Sequence, residues 1–114
     1  MRIEFSNLVK TKLRHLKNWL IEHYDLKTAK RILSEMLSDI ETLSTHPEIG
    51  ANIAGIYPLE TDYWYLFTHQ HYMVYRFDEE KVTIVQMFHE REDFMMKLFG
   101  ISGRTKESID YWGE

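Results

Sequence analysis

The sequence predicts an α+β fold in two layers. An N-terminal strand and an antiparallel helical hairpin pack on an antiparallel sheet, which a C-terminal three-stranded meander completes before a short C-terminal helix. Three observations predict it. Apolar residues recur at steps of three and four through two consecutive segments between residues 9 and 43, the helical period. Residues 63–89 are instead rich in aromatic and β-branched side chains and are cut twice by polar turns. Residues 2–6 alternate polar and apolar, as a short strand does.

The elements follow in order. Ile3 and Phe5 mark the first strand, and Ser6 offers an N-cap oxygen to the helix behind it. Val9, Leu13, Leu16 and Leu20 share one face of that helix, with Trp19 flanking the stripe. His23-Tyr24-Asp25 breaks the pattern, and Asp25 or Thr28 can cap the next helix. There Ala29, Leu33, Met36, Ile40 and Leu43 form the stripe, Ile32 and Leu37 widen it, and Arg31 can pair with Glu35 one turn on. Pro47 ends the helix, because the residue before a proline is pushed out of the helical region, and Gly50 suits a turn. Two helices joined by a few residues lie antiparallel. The strands are expected at 63–68, 71–77 and 81–89, with turns at His69-Gln70 and Asp78-Glu79-Glu80. Phe94, Met95 and Leu98 return to helical spacing and Gly100 stops the last helix. One domain is expected over 1–100, followed by a polar tail at 101–114 that carries Ile109, Tyr111 and Trp112. In this arrangement the helices cover one face of the sheet, and the other is expected to stay open.

Composition narrows the functional classes. At 114 residues a second core has no room, and 14% aromatic residues supply the area for a single one. With no cysteine, a disulfide scaffold, a thiolate metal site and a cysteine nucleophile are excluded, which fits a reducing cytoplasm. No apolar run approaches the roughly 20 residues that span a bilayer, and the N-terminal residues lack the apolar stretch of a signal peptide. Net charge is −4, all of it from residues 61–114. Between Asn7 and Ile21, however, stand Lys10, Lys12, Arg14 and Lys17 with no acidic residue. That is either a solvated helix face or a face for an acidic partner or a phosphate.

Three constellations could carry chemistry. His69, His71 and His89 could in principle meet at a divalent metal, but no carboxylate stands at ligand spacing, and neither a metal nor a cofactor is expected. Arg76, His89 and Arg91, with Tyr72, lie on or just beyond neighbouring strands. A histidine beside two guanidiniums can move a proton while they hold a phosphate. The competing reading pairs Arg76 and Arg91 with Glu80, Glu92 or Asp93. Finally, Tyr63, Trp64, Tyr65, Phe67, Tyr72, Tyr75 and Phe77 crowd two strands. About half are expected in the core and the rest in an exposed patch, which suits a protein interface because this region is acidic.

The order of these elements resembles the RelE/ParE superfamily of bacterial toxins. Three landmarks carry the likeness: His46-Pro-Glu-Ile-Gly50 closing the second helix, Tyr72-Met-Val-Tyr-Arg-Phe77 in the middle strand, and Ile84-Val-Gln-Met-Phe-His-Glu-Arg-Glu-Asp93 at the last strand and its exit. The likeness runs over residues 2–99. It implies the toxin of a type II toxin–antitoxin module that arrests bacterial growth and is neutralised by a cognate antitoxin. RelE-like members cut mRNA on the ribosome, whereas ParE-like members inhibit DNA gyrase and have no nuclease residues. The exit at 88–93 is similar to the ParE branch. Of the nuclease residues only His89 matches; Glu90 stands where a tyrosine and Tyr72 where an arginine would be. The resemblance therefore implies a protein target such as DNA gyrase, with Tyr72, Arg76, His89, Arg91 and Asp93 on the effector or partner surface. The alternatives are a ribonuclease using His89, Arg76 and Arg91 as catalytic residues, and a non-toxic relic that still binds its antitoxin. The antitoxin segment is expected to fold over the aromatic and His89 region.

Overall fold

The computed structural model describes residues 1–100; the tail expected at 101–114 lies outside the described residues. Strand β1 (Arg2–Phe5) leads into helix α1 (Asn7–His23) and helix α2 (Leu26–Glu41). Two 3₁₀ turns (Thr42–Ser44 and Pro47–Ile49) lead to strand β2 (Ala51–Asn52) and helix α3 (Ile53–Ile56). Strands β3 (Trp64–Thr68), β4 (His71–Phe77) and β5 (Lys81–His89) form the meander, and helix α4 (Phe94–Phe99) follows.

Local chemistry sets the element ends. Ser6 caps α1: its hydroxyl oxygen accepts from the Val9 amide at 3.2 Å and donates to the Val85 carbonyl at 3.1 Å. Asp25, not Thr28, caps α2; its carboxylate accepts from the Thr28 amide at 2.6 Å, and hydrogen bonding from the Thr28 side chain first and this amide second holds its pKa below the usual carboxylate value. Gly100 closes α4 in the left-handed region at φ 70°. The β3–β4 turn is His69-Gln70, as expected, and both residues have positive φ, 45° and 65°. Asp78 holds the β4–β5 turn by accepting from the Glu80 and Lys81 amides.

The sheet order is β1-β5-β4-β3-β2. It is mixed: β1 pairs with β5 in parallel, in the register Ile3–Val82 and Phe5–Ile84, and the other pairs are antiparallel. Ser6 helps fix this orientation, since its amide also donates to Ile84 at 3.0 Å. Alternation in residues 2–6 reveals which side chains face the core but not the direction of the neighbouring strand. β2 and α3 were not anticipated, because elements of two and four residues carry no period.

The helical hairpin covers one face as expected. Val9 of α1 and Met36 and Ile40 of α2 meet Met73, Tyr75, Val82, Ile84 and Met87 of the sheet in the main core. The opposite face is not open. Ile53 of α3 and Phe94 and Met95 of α4 cover it, burying Val74 and Phe88 in a second core flanked by Tyr63, Tyr65 and Tyr72. The expected aromatic patch is thereby mostly consumed. Tyr75 is fully buried, Trp64 and Phe77 pack against the main core, and only Phe67 of the seven is classed as exposed, at 48%. The segment after β2 and α4 supply the apolar cover that a two-layer reading lacked.

Candidate functional site

The register decides which candidate residues meet. His71 opens β4 and His89 closes β5, and the two are cross-strand partners with ring centroids 5.1 Å apart, edge to face. Arg76 pairs with Thr83 near the other end of the same ladder. His89 is six residue steps along β5 from Thr83, so at about 3.3 Å per step the Arg76 backbone lies roughly 20 Å from that of His89. The expected cluster of Arg76, His89 and Arg91 on one phosphate does not form. The strands and the turn at Asp78-Glu79-Glu80 were legible in the sequence, and together they already set Arg76 and His89 at opposite ends of the ladder.

Each residue has its own surroundings. Arg76 is exposed, bonded to the Asp62 carboxylate, and its guanidinium lies 5.7 Å from the Tyr63 ring centre. Tyr72 points to the second core, its ring centre 4.6 Å from that of Phe94. Asp93 caps α4 through the Met96 amide at 3.1 Å. Arg91 has an exposed side chain, and its amide donates to His89 Nδ1 at 3.1 Å. Thus only His89 and Arg91 of the expected set stay together, joined by backbone.

Around His71 and His89 the hairpin and the sheet end enclose a cleft of about 520 Å³. Leu16, Trp19 and Leu20 of α1, and Arg31, Ile32 and Met36 of α2, form its walls; His69, Gln70, His71 and His89 form its end. A smaller recess of about 200 Å³ continues it past Leu16, His71 and His89 to Lys12, His15 and Glu92. The volume suits a few side chains of a partner or a small ligand. Its apolar walls come from the same stripes that build the core, so helical periodicity alone cannot tell them from core. The run of cations in α1 and the exposed Trp19 were the available signals.

Hydrogen bonds set the imidazole tautomers. His71 Nδ1 lies 2.8 Å from the His69 carbonyl, so Nδ1 carries the proton and Nε2 is the bare acceptor of the neutral ring. His89 Nδ1 accepts from the Arg91 amide, so the neutral ring holds its proton at Nε2. Burial, with a smaller contribution from His89, lowers the His71 pKa. The sign of the linkage follows. The unfolded chain binds the extra proton first, so this stability is fully present above about pH 6.5 and is lost as pH falls toward the lower folded value. Unfolding free energy should therefore decline in the mildly acidic window, above the range where carboxylates titrate. His71→Asn should flatten that limb in urea melts taken across pH 7 to 5; an unchanged slope refutes the assignment. Among the described residues, no group of three or more His, Asp or Glu side chains is placed to hold a metal ion.

A mixed five-stranded sheet with a helical hairpin on one face and a cleft at the hairpin's mouth is the architecture of a small toxin of the RelE/ParE kind. The model of the ParE toxin family of type II toxin–antitoxin systems, the toxin of parDE, matches residues 3–94. The chain belongs to that family. Among solved structures it is similar to a chain of the chromosomal ParDE toxin–antitoxin system from P. aeruginosa. That likeness has a TM-score of 0.64 and 12% identity, and it covers 78% of this chain and 95% of that one. No curated protein sequence matches. No helix among the described residues is long and apolar enough to cross a membrane.

Proposed function

We propose that this toxin arrests bacterial growth in the cytoplasm by occupying a protein target such as DNA gyrase, and that a cognate antitoxin encoded beside it neutralises it. The antitoxin reading draws on the family, whose description pairs toxin with antitoxin, and on the ParDE neighbour. The choice of a protein target over RNA rests on one observation above all. Arg76, the guanidinium that a phosphate-cleaving centre at His89 would call on, sits about 20 Å away, tied to Asp62. What remains at the exit of β5 is Arg91, exposed and without an ion-pair partner among the described residues, beside His89. Such a surface suits contact with an acidic protein patch.

The test is induced expression without the antitoxin, following growth and the supercoiling of a reporter plasmid together. Arrest with altered supercoiling and intact mRNA is expected. Arg91→Ala should relieve the arrest at least about tenfold in survival while the chain keeps its melting temperature, since the exposed Arg91 side chain makes no hydrogen bond or ion pair among the described residues and surface charges contribute little to folding. Undiminished toxicity of that variant removes Arg91 from the effector surface. Arrest with unchanged supercoiling and mRNA cut at ribosomal A-site codons instead makes the protein a ribosome-dependent ribonuclease. A wild-type chain that leaves growth unaffected yet binds the antitoxin is a non-toxic relic.

A further inference from the structure

The cations of α1 are not balanced by acids on their own helix. Lys10, Lys12, Arg14 and Lys17 share the helix with a single acid, Glu22, and none of the four enters an ion pair among the described residues. Everywhere else this acidic chain pairs several of its cations: Arg2 and Lys81 with Glu4, Arg31 with Glu35, Arg76 with Asp62, Lys97 with Glu92. Lys12 is the telling member. Its ammonium is drawn in over the Phe88 ring, 4.6 Å from the centroid, and donates to two neutral oxygens, Gln86 Oε1 at 2.7 Å and the Met87 carbonyl at 2.9 Å. Glu92, in the same recess, is held by Lys97 at 3.1 Å. Lys12 thus bonds only neutral oxygens, and its partly buried charge is met through space by Glu92 alone, a carboxylate already engaged by Lys97.

The recess at Lys12 also receives His15, His71 and His89, and it opens into the cleft walled by Leu16, Trp19 and Ile32. Trp19 is 48% exposed there. A basic end joined to an apolar slot has one complementary occupant: a carboxylate next to a large apolar side chain. We infer that the cleft takes an acidic, apolar-anchored segment of the antitoxin, which sets its carboxylate among Lys12, His15 and the Nε2–H of His89 and its apolar side chain against Leu16, Trp19 and Ile32. This rests on the antitoxin reading above and specifies the chemistry of that partner. A nucleic-acid backbone fits less well. It asks for a row of cations along an open surface, and this chain carries a net charge of −4, with four of its 14 Lys and Arg residues on α1 beside an apolar slot.

The experiment titrates the full-length toxin with the antitoxin encoded beside it, at low and high salt, by calorimetry and by tryptophan fluorescence, with Trp19→Phe separating the Trp19 signal from those of Trp64 and Trp112. Wild type is expected to bind, with Trp19 emission shifting to shorter wavelength and affinity falling as salt rises. Lys12→Met, which keeps the aliphatic stem, and His15→Glu should each weaken binding at least about tenfold. The His15 side chain is exposed and makes no hydrogen bond or ion pair among the described residues, so His15→Glu separates recognition from stability should Lys12→Met loosen β5. Changing the antitoxin's contacting acid to lysine should restore binding to His15→Glu. Equal affinity for wild type and both variants overturns the inference and leaves the antitoxin reading standing. No binding by wild type overturns both. If a short DNA duplex or RNA, and not the antitoxin, is lost with these variants, the site belongs to nucleic acid and the inference fails.

Discussion

Replacing Gly50 with alanine should destabilise the protein by about 2–4 kcal/mol, the sum of overpacking a filled site and losing one buried hydrogen bond. A Cβ on Gly50 would stand 2.4 Å from the Tyr75 hydroxyl oxygen, 2.5 Å from the Tyr65 carbonyl and 3.0 Å from the Tyr75 ring. Backbone on one side and a fully buried ring on the other leave no route for relief. The Tyr75 hydroxyl donates to the Pro47 carbonyl at 2.6 Å, and burial pushes its pKa up to about 12, so it keeps its proton throughout the neutral range. The Pro-Glu-Ile-Gly loop and the tyrosine of β4, which stand apart in the sequence, are thus one joint. Thermal melts read by circular dichroism measure the loss. Tyr75→Phe alone should cost about 1 kcal/mol, the net worth of one hydrogen bond. Because it also removes one of the clashing atoms, its combination with Gly50→Ala should cost less than the two single losses added. A Gly50→Ala protein as stable as wild type would show that the loop yields and that the joint is loose.

This joint shows what the sequence carries and what it withholds. Helix periodicity, the Ser6 and Asp25 caps, the turn at His69-Gln70 and the stop at Gly100 are local signals, and each is where the sequence put it. Gly50 was legible as a turn residue, but the reason for it lies across the fold in Tyr75. Register was legible in part. The strands of Arg76 and His89 were correctly adjacent, and the turn at Asp78-Glu79-Glu80 already sets Arg76 opposite Thr83 and leaves His89 at the far end; the bulge between Val74 and Tyr75, which has no local signal, shifts the remaining pairs by one residue. The second core escaped for a similar reason: Ile53 and Phe94 read as parts of short segments, and only the tertiary fold reveals that they share a face. The cleft draws on α1, α2, β4 and β5, so no window of sequence contains it. Its one local trace was the acid-free run of cations in α1.

The His69-Gln70 turn offers a test of whether stability was set aside for that cleft. Two-residue hairpin turns with positive φ at both positions favour Asn-Gly, because a side chain in the left-handed region costs about 1–2 kcal/mol that glycine avoids. Here histidine and glutamine occupy both positions, at φ 45° and 65°. Little in the fold repays this: His69 Nε2 lies 3.6 Å from the Glu35 carboxylate in an open setting, a pair worth at most about 1 kcal/mol. Both residues line the cleft, whereas an asparagine and a glycine would present far less surface there. His69→Asn with Gln70→Gly should therefore raise stability by about 1–2 kcal/mol, seen as a higher urea midpoint at unchanged slope. The same variant should bind the antitoxin more weakly, since strain held at a binding surface is retained for the contacts it makes possible. A variant that is stabilised but binds as wild type does would make the turn an unimproved accident of the chain. A variant that is destabilised would mean that the His69 side chain, through its approach to Glu35, outweighs the strain of the turn.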